Sequence, residues 1–209
     1  AMKILLIGAS GCFGTAFTYI CKIKNVELIS YSSKDLNIID SKSISLIINK
    51  INPNIIINSA SLVGINQCEE EYKSAFEINS IGPLNLIKEC LKNNICYVQT
   101  STHALFDGKK DTPYDENDIP KPNNVYSVTK YASEKLTSSI LKKYYIFRFP
   151  TLYGKRRNNL PGFVDKVEEK LLSGSELRIA SDKIDSPSYN IDVAEAMLTI
   201  LIEQKDYGI

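Results

Sequence analysis

Short unbroken apolar runs alternate along this chain with longer stretches whose apolar residues recur at helical spacing. Lys3–Ile7 is a run of the first kind, stopped by Gly8, and predicts a buried strand. Residues 13–24 predict a helix and 26–31 a second strand. Within Ser41–Ile51, Ile44, Ile47, Ile48 and Ile51 share one helical face, and Pro53 ends the pattern. Ile55–Asn58 is continuous and β-branched, as a central strand should be. A long helical stretch follows from about 70 to 92, with Pro83 placed to begin or kink its second part. A strand at 95–100 leads into a loop at 107–124 rich in Asp, Pro, Gly and Asn, then a helix at 126–142 and a strand at Tyr144–Phe149. An irregular basic loop at 154–162 precedes helices at Phe163–Leu172 and 192–203. Strands alternating with helices predict parallel βαβ units in a doubly wound α/β sheet with right-handed crossovers.

Composition narrows the function. The chain has 209 residues, 44% of them hydrophobic, enough for one core or one domain with a small annex. Net charge is +1, so no basic excess exists to hold a nucleic-acid backbone. Cys12, Cys21, Cys68, Cys90 and Cys96 form no CxxC pair, which points to a reduced, cytoplasmic protein. His103 is the only histidine, so no metal site is expected. The apolar run at 4–7 is too short for a signal peptide or a membrane span, and no membrane partner is expected. Ala1 before Met2 reads as a remnant of tag removal.

Gly8-Ala9-Ser10-Gly11-Cys12-Phe13-Gly14 follows the first strand and opens the first helix. Three glycines in this setting either mark a turn alone or let a backbone approach a pyrophosphate at a helix N-terminus, which is a nicotinamide-dinucleotide loop. A dinucleotide fold would place an acidic residue at the end of the second strand, yet that strand ends Tyr31-Ser32-Ser33-Lys34. Serines and a lysine suit a 2′-phosphate, so NADP is expected, with NAD the alternative; the bland reading is a polar loop that touches nothing. Asp35 and Leu36 come next and are placed to meet the adenine.

Tyr126 and Lys130 stand four residues apart at the start of a predicted helix, on one face. An ammonium group beside a phenol favours the phenolate and suits proton exchange with a carbonyl or alkoxide oxygen. YxxxK alone usually marks a solvated helix. Here it follows the glycine loop and a strand ending Thr100-Ser101-Thr102, an order that favours the catalytic reading. Lys155, Arg156 and Arg157 are either solvated surface or face a nucleotide diphosphate.

Taken together, these motifs resemble the extended short-chain dehydrogenase/reductases, and within them the dTDP-4-dehydrorhamnose reductase family. Ser101-Thr102-His103-Ala104-Leu105-Phe106-Asp107-Gly108 is similar to that family's STDYVFDG, and Asn124-Val125-Tyr126-Ser127-Val128-Thr129-Lys130 to its NVYGxxK. The run from Pro53 to Ser61 resembles PDVVINAAA, Asn79 to Gly82 matches NxxG, and Arg148 to Gly154 resembles RxxxxYG. Asp185-Ser186-Pro187-Ser188-Tyr189, followed by Asp192, resembles GSPTYxxD. The resemblance implies a Rossmann sheet with a small C-terminal substrate-binding segment, divided as 2–157 for the dinucleotide, 158–183 on the substrate side and 184–206 returning to the sheet. It implies a catalytic set of Thr102, Tyr126 and Lys130. Along the cofactor it places Gly8, Ser10, Gly11, Cys12, Phe13 and Gly14, then Ser32, Ser33, Asp35 and Leu36, then Ala60, Ser61 and Asn79, with Tyr126 and Lys130. Val63, Thr102, His103 and Thr151 would meet a nucleotide-sugar substrate. The expected activity is NAD(P)H-dependent reduction of a keto-sugar nucleotide for cell-surface polysaccharide, in a cytoplasmic enzyme that could be a homodimer. His103 and Ala104 stand where the family has Asp and Tyr, and Thr151 where it usually has Trp, so the sugar pocket differs. His103 is either a solvated loop residue or a donor to the sugar. Two other readings stay open: a nucleotide-sugar epimerase, and a non-catalytic dinucleotide-binding regulatory subunit like that of methionine adenosyltransferase. A dehydratase is disfavoured because His103-Ala104 cannot supply its Asp-Glu pair.

Overall fold

One parallel sheet carries β1 (Lys3–Ile7), β2 (Glu27–Tyr31), β3 (Ile55–Asn58), β4 (Cys96–Thr102) and β5 (Tyr144–Phe149) in the order β2-β1-β3-β4-β5. The computed structural model describes residues 2–204 and 206–209. Ala1, read above as a tag remnant, and Lys205 of the 184–206 segment lie outside the described residues. Every residue of β3 and β4 is buried, which is why neither strand shows polar alternation. Successive side chains go to opposite faces. Ile4, Leu6, Ile55, Ile57 and Val98 pack with Phe13, Phe17, Met197, Leu198 and Leu201 of α1 (Cys12–Ile23) and α8 (Asn190–Glu203). Leu5, Ile7, Ile56 and Tyr97 pack with Ile44, Ile48, Leu86 and Ile87 of α2 (Ser41–Ile51) and α5 (Gly82–Asn93).

The order of strands creates the crevice. The chain leaves β1 for β2 on one side, then recrosses β1 to lay down β3 on the other. Helices therefore depart in opposite directions at the carboxyl ends of β1 and β3, where doubly wound sheets bind ligands. Beside the crevice, α6 (Val125–Ile140) starts at a capping box: Asn124 Oδ1 accepts from Ser127 N–H at 2.9 Å, and Ser127 Oγ meets Asn124 N–H at 3.3 Å. This start sets the rotation of α6 and so the direction in which Tyr126 and Lys130 project.

The expected helix from about 70 to 92 is corrected. It begins earlier, as α3 (Ile65–Glu70), breaks at Glu71, and resumes as α4 (Tyr72–Phe76). A π-helical turn at Glu77–Ile81 then leads into α5. Pro83 has no N–H to return to the carbonyl of Asn79, so the ladder widens there. Two further strands, β6 (Leu152–Tyr153) and β7 (Ser188–Tyr189), pair in parallel. Each is two residues long, too short to leave a periodic signature. The sequence-expected end of α6 at 142 also shortens to Ile140. Between β6 and β7 lies α7 (Phe163–Leu172), none of whose residues is buried. Gly208 lies against the outer edge of β5, accepting from Ile146 N–H at 2.8 Å and donating to Tyr144 O at 3.0 Å. Among the described residues no helix is long and apolar enough to cross a membrane.

Candidate active site

The three loop glycines do different work. A Cβ on Gly8, whose φ is +87°, would lie 2.5 Å from the backbone of Ser59 and Ala60 at the end of β3. One on Gly14 would lie 2.4 Å from Gly8 O and 2.7 Å from Ala9 Cα. These two glycines let strand, loop and helix touch. At Gly11 the nearest atom is Gly8 O at 3.7 Å, so inside the protein a side chain would meet nothing there. The space beyond Gly11 lies at the start of α1, which has no side-chain cap and no acidic residue in its first turn. An uncapped helix N-terminus with a smooth glycine floor suits a pyrophosphate, and these residues fit a dinucleotide. Phe13 offers only its backbone: its ring is in the core, 5.4 Å from Phe17 and 5.1 Å from Phe149.

The basic loop closes over one side of this floor. Ser10 O accepts from Asn158 N–H at 3.1 Å, and Thr15 Oγ1 from Arg157 N–H at 2.9 Å. Asn190, 1% exposed at the start of α8, donates from Nδ2 to Cys12 O and to Lys155 O, each at 2.9 Å. Burial raises the Cys12 thiol, with Arg156 partly opposing. Sequence reasoning missed Asn190, because an Asn at a helix start reads as an ordinary cap; the signal was Gly154, whose Cβ would strike the Asn190 carboxamide.

At the end of β2 the sequence expectation changes. Asp35 Oδ2 accepts from Ser32 N–H at 2.9 Å and Ser32 Oγ at 2.6 Å, and these bonds hold the carboxyl below its usual range. A carboxylate therefore does stand at this strand end, and the Ser32 hydroxyl is engaged with it rather than offered to a 2′-phosphate. The turn also sends the Leu36 side chain into the core, at 4% exposure. Ser33 and Lys34 remain exposed.

Beyond β3, Asn79 is 1% exposed and its carboxamide is committed. Oδ1 accepts from Ser61 Oγ at 2.9 Å and Leu62 N–H at 2.8 Å; Nδ2 donates to Leu62 O at 3.0 Å and Thr129 Oγ1 at 3.1 Å. Asn79 thus shapes the loop that holds Ala60 and Ser61 and ties it to α6. Val63, on the same loop, is exposed.

Thr102, at the end of β4, and Tyr126, in the first turn of α6, stand close enough for the Thr102 hydroxyl to favour the Tyr126 phenolate. Ala104 N–H donates to Thr102 Oγ1 at 3.1 Å and fixes its direction. Lys130 is 2% exposed, and its Nζ donates to Thr100 O at 2.8 Å. Burial lowers its ammonium from 10.5 to about 8, with Glu134 partly opposing. Burial raises the Tyr126 phenol, and the Thr102 hydroxyl only partly offsets this. The sequence expectation of a favoured phenolate is thereby reversed, because burial outweighs the Thr102 hydroxyl and the Lys130 ammonium is turned to a backbone carbonyl. A protonated phenol is a proton donor, as reduction of a carbonyl requires. Arg148 braces the set from behind, pairing with Glu134 through Nε–Oε1 at 3.0 Å and Nη2–Oε2 at 2.8 Å.

A buried lysine with a depressed folded pKa works against folding. Between pH 8 and 10.5 the unfolded chain binds more protons at this residue than the folded one, so its penalty is fully present at pH 7 and vanishes above 10.5. Lys130→Met should therefore raise stability at pH 7 by about 2 kcal/mol, after about 1 kcal/mol for the lost hydrogen bond. The gain should shrink toward zero as pH rises through that window. Denaturant unfolding of both proteins at pH 7 and pH 10 checks this; a gain that is constant with pH would refute it.

At the ends of β4 and β5, His103 Nδ1 faces Phe149 O at 3.2 Å, and Nε2 lies 3.8 Å from Asp185 Oδ2. Thr151 Oγ1 donates to the same Oδ2 at 2.5 Å, and Ser186 N–H to Oδ1 at 2.8 Å. Burial raises the Asp185 carboxyl, but Thr151, His103, Ser186 and Lys183 together hold it below its usual range. Thr102, His103, Thr151, Tyr126 and Lys130 thus gather at one end of the sheet. Asp185 is a member that the sequence motif contained without revealing.

This geometry has known counterparts. The profile of the RmlD substrate binding domain matches residues 2–208. The spore coat polysaccharide biosynthesis protein SpsK of Bacillus subtilis is 33% identical over 95% of this chain and 69% of its own length. A crystal structure of a dTDP-4-dehydrorhamnose reductase from Clostridium acetobutylicum superposes with a TM-score of 0.92 at 34% identity, over 99% of this chain and 72% of the other. That of the dTDP-4-dehydrorhamnose reductase of Bacillus anthracis in complex with NADP gives 0.91 at 29% identity, with coverage of 99% and 72%. A glycine floor at the first helix, a half-buried Tyr126 one turn before a buried Lys130, and a match along nearly the whole chain converge on one assignment: the chain belongs to the RmlD substrate binding domain family.

Proposed function

We propose that this protein is a nicotinamide-dinucleotide-dependent reductase of a nucleotide-linked 4-keto sugar, of the dTDP-4-dehydrorhamnose reductase kind, serving cell-surface polysaccharide synthesis in the cytoplasm. The observation that carries the reading is the gathering of Thr102 at the end of β4, Tyr126 in the first turn of α6 and a buried Lys130 one turn further along. The dinucleotide supplies the hydride. Gly8, Gly11, Gly14 and the backbone of Ser10, Cys12 and Phe13 would hold its pyrophosphate. Ala60 and Ser61 would line it, on the loop that Asn79 shapes. Thr102 orients the sugar carbonyl, and Tyr126 gives its phenolic proton to the oxygen as negative charge develops there. Lys130 stabilises the phenolate left behind. The segment 158–183 and the exposed Val63 form the substrate side, with His103 and Thr151 beside the carbonyl. The Bacillus anthracis relative with bound NADP supports NADPH as the donor, while Asp35 is the group that would make NADH acceptable, by pairing with a ribose 2′-hydroxyl.

The test is oxidation of NADPH, and separately of NADH, with dTDP-4-dehydrorhamnose and other 4-keto sugar nucleotides as acceptors. Turnover with at least one acceptor is expected. Tight dinucleotide binding with no turnover on any of them would replace this reading with that of a non-catalytic binding subunit.

A further inference from the structure

We propose that His103 and Asp185 together hold a hydroxyl group of the keto sugar and so select the substrate; this rests on the reductase reading above. His103 directly follows Thr102, where β4 gives way to a short 3-10 turn at His103–Leu105. A backbone carbonyl only accepts, so the 3.2 Å contact between Nδ1 and Phe149 O places a proton on Nδ1 and fixes the ring. Nε2 is then the free end of the imidazole. It points toward Asp185 but stops 3.8 Å from Oδ2, too far for a direct hydrogen bond. An oxygen about 2.8 Å from both atoms closes a triangle on that base.

A hydroxyl is the group that suits the gap. It donates its own proton to the carboxylate, and accepts from Nε2–H whenever both ring nitrogens carry protons. A carbonyl has no proton for Asp185, and an ammonium group has no lone pair to accept from Nε2–H. The carboxylate is set for this task before any ligand arrives, with Thr151 on Oδ2 and Ser186 N–H on Oδ1, and Lys183 Nζ 3.9 Å away. The His103 side chain is 40% exposed and Asp185 is 18% exposed, so the pair opens outward with its acid recessed. Ala104 adds only a methyl group beside it. The family pattern has an acid at position 103 and a glycine at 185; here the acid stands at 185 and a histidine at 103. The proton acceptor has moved from the strand end to the loop before β7.

The experiment compares wild type with Asp185→Ala, Asp185→Asn and Thr151→Val, using whichever 4-keto sugar nucleotide the wild type reduces, with NADPH affinity measured in parallel. Asp185→Ala should raise KM for the sugar nucleotide about tenfold or more, with kcat changed less than about threefold and NADPH Kd unchanged. Asp185→Asn, which keeps an acceptor, should recover part of the loss, and Thr151→Val, which only frees the carboxylate, should show a smaller rise. An unchanged KM in Asp185→Ala, a fall confined to kcat, or a parallel loss of NADPH affinity would overturn the inference. If the wild type itself reduces none of these acceptors while binding NADPH, the reductase reading falls and this inference with it.

Discussion

Tyr126→Phe should lower keto-sugar turnover by about three orders of magnitude, leaving NADPH affinity within about twofold of wild type. The substitution removes one oxygen. That oxygen is the group beside Thr102, and it is the proton source proposed above. The aromatic ring stays, so α6 should keep its capping box and its packing on the π-helical turn. Because burial raises the phenol, the wild-type enzyme should hold its proton across the neutral range and lose rate only on the alkaline side. The Phe variant should lack that alkaline limb. Single-turnover measurements with saturating NADPH separate the chemical step from binding. A residual rate within tenfold of wild type would assign the proton to another group.

Gly8→Ala should cost about 4 kcal/mol or more and leave little folded protein, whereas Gly11→Ala should fold with near-wild-type stability and bind NADPH about 10- to 100-fold more weakly. At Gly8 the new Cβ would meet three backbone atoms of the β3 end at about the same 2.5–2.6 Å, and φ is +87°, a region hostile to L residues. The central strand cannot move aside. Gly11 has φ −72° and nothing within 3.7 Å, so alanine fits the protein itself. What its methyl group would occupy is the place proposed for the pyrophosphate. Thermal unfolding paired with NADPH titration tells the two apart. Gly11→Ala binding as tightly as wild type would remove the dinucleotide from this loop.

The sheet was legible because burial on both faces leaves continuous apolar runs, as in Ile55–Asn58, and the helices because isoleucines such as Ile44, Ile48 and Ile51 repeat at 3.6-residue spacing. Chemistry carried by neighbours in sequence was legible too: the glycine loop, and Tyr126 with Lys130. The π-helical turn was not, since it depends on one missing N–H at Pro83 and on the fit of Gly82 against Ile38, and no residue spacing marks the break at Glu71. The turn after β2 read as polar and open, yet local hydrogen bonds fold Asp35 back on Ser32 and drive Leu36 inward. Pairings across long stretches of chain, such as His103 with Asp185, exist only once the sheet brings β4 beside β5. The rise of the Tyr126 phenol above its ordinary range follows from burial, which no spacing of residues encodes.

Asn190 latches two carbonyls, one of them 178 residues earlier, onto the head of the last helix. On a ribosome, the glycine loop emerges 178 residues before its clasp. A nascent chain therefore carries an unfastened cradle until the head of α8 has been made.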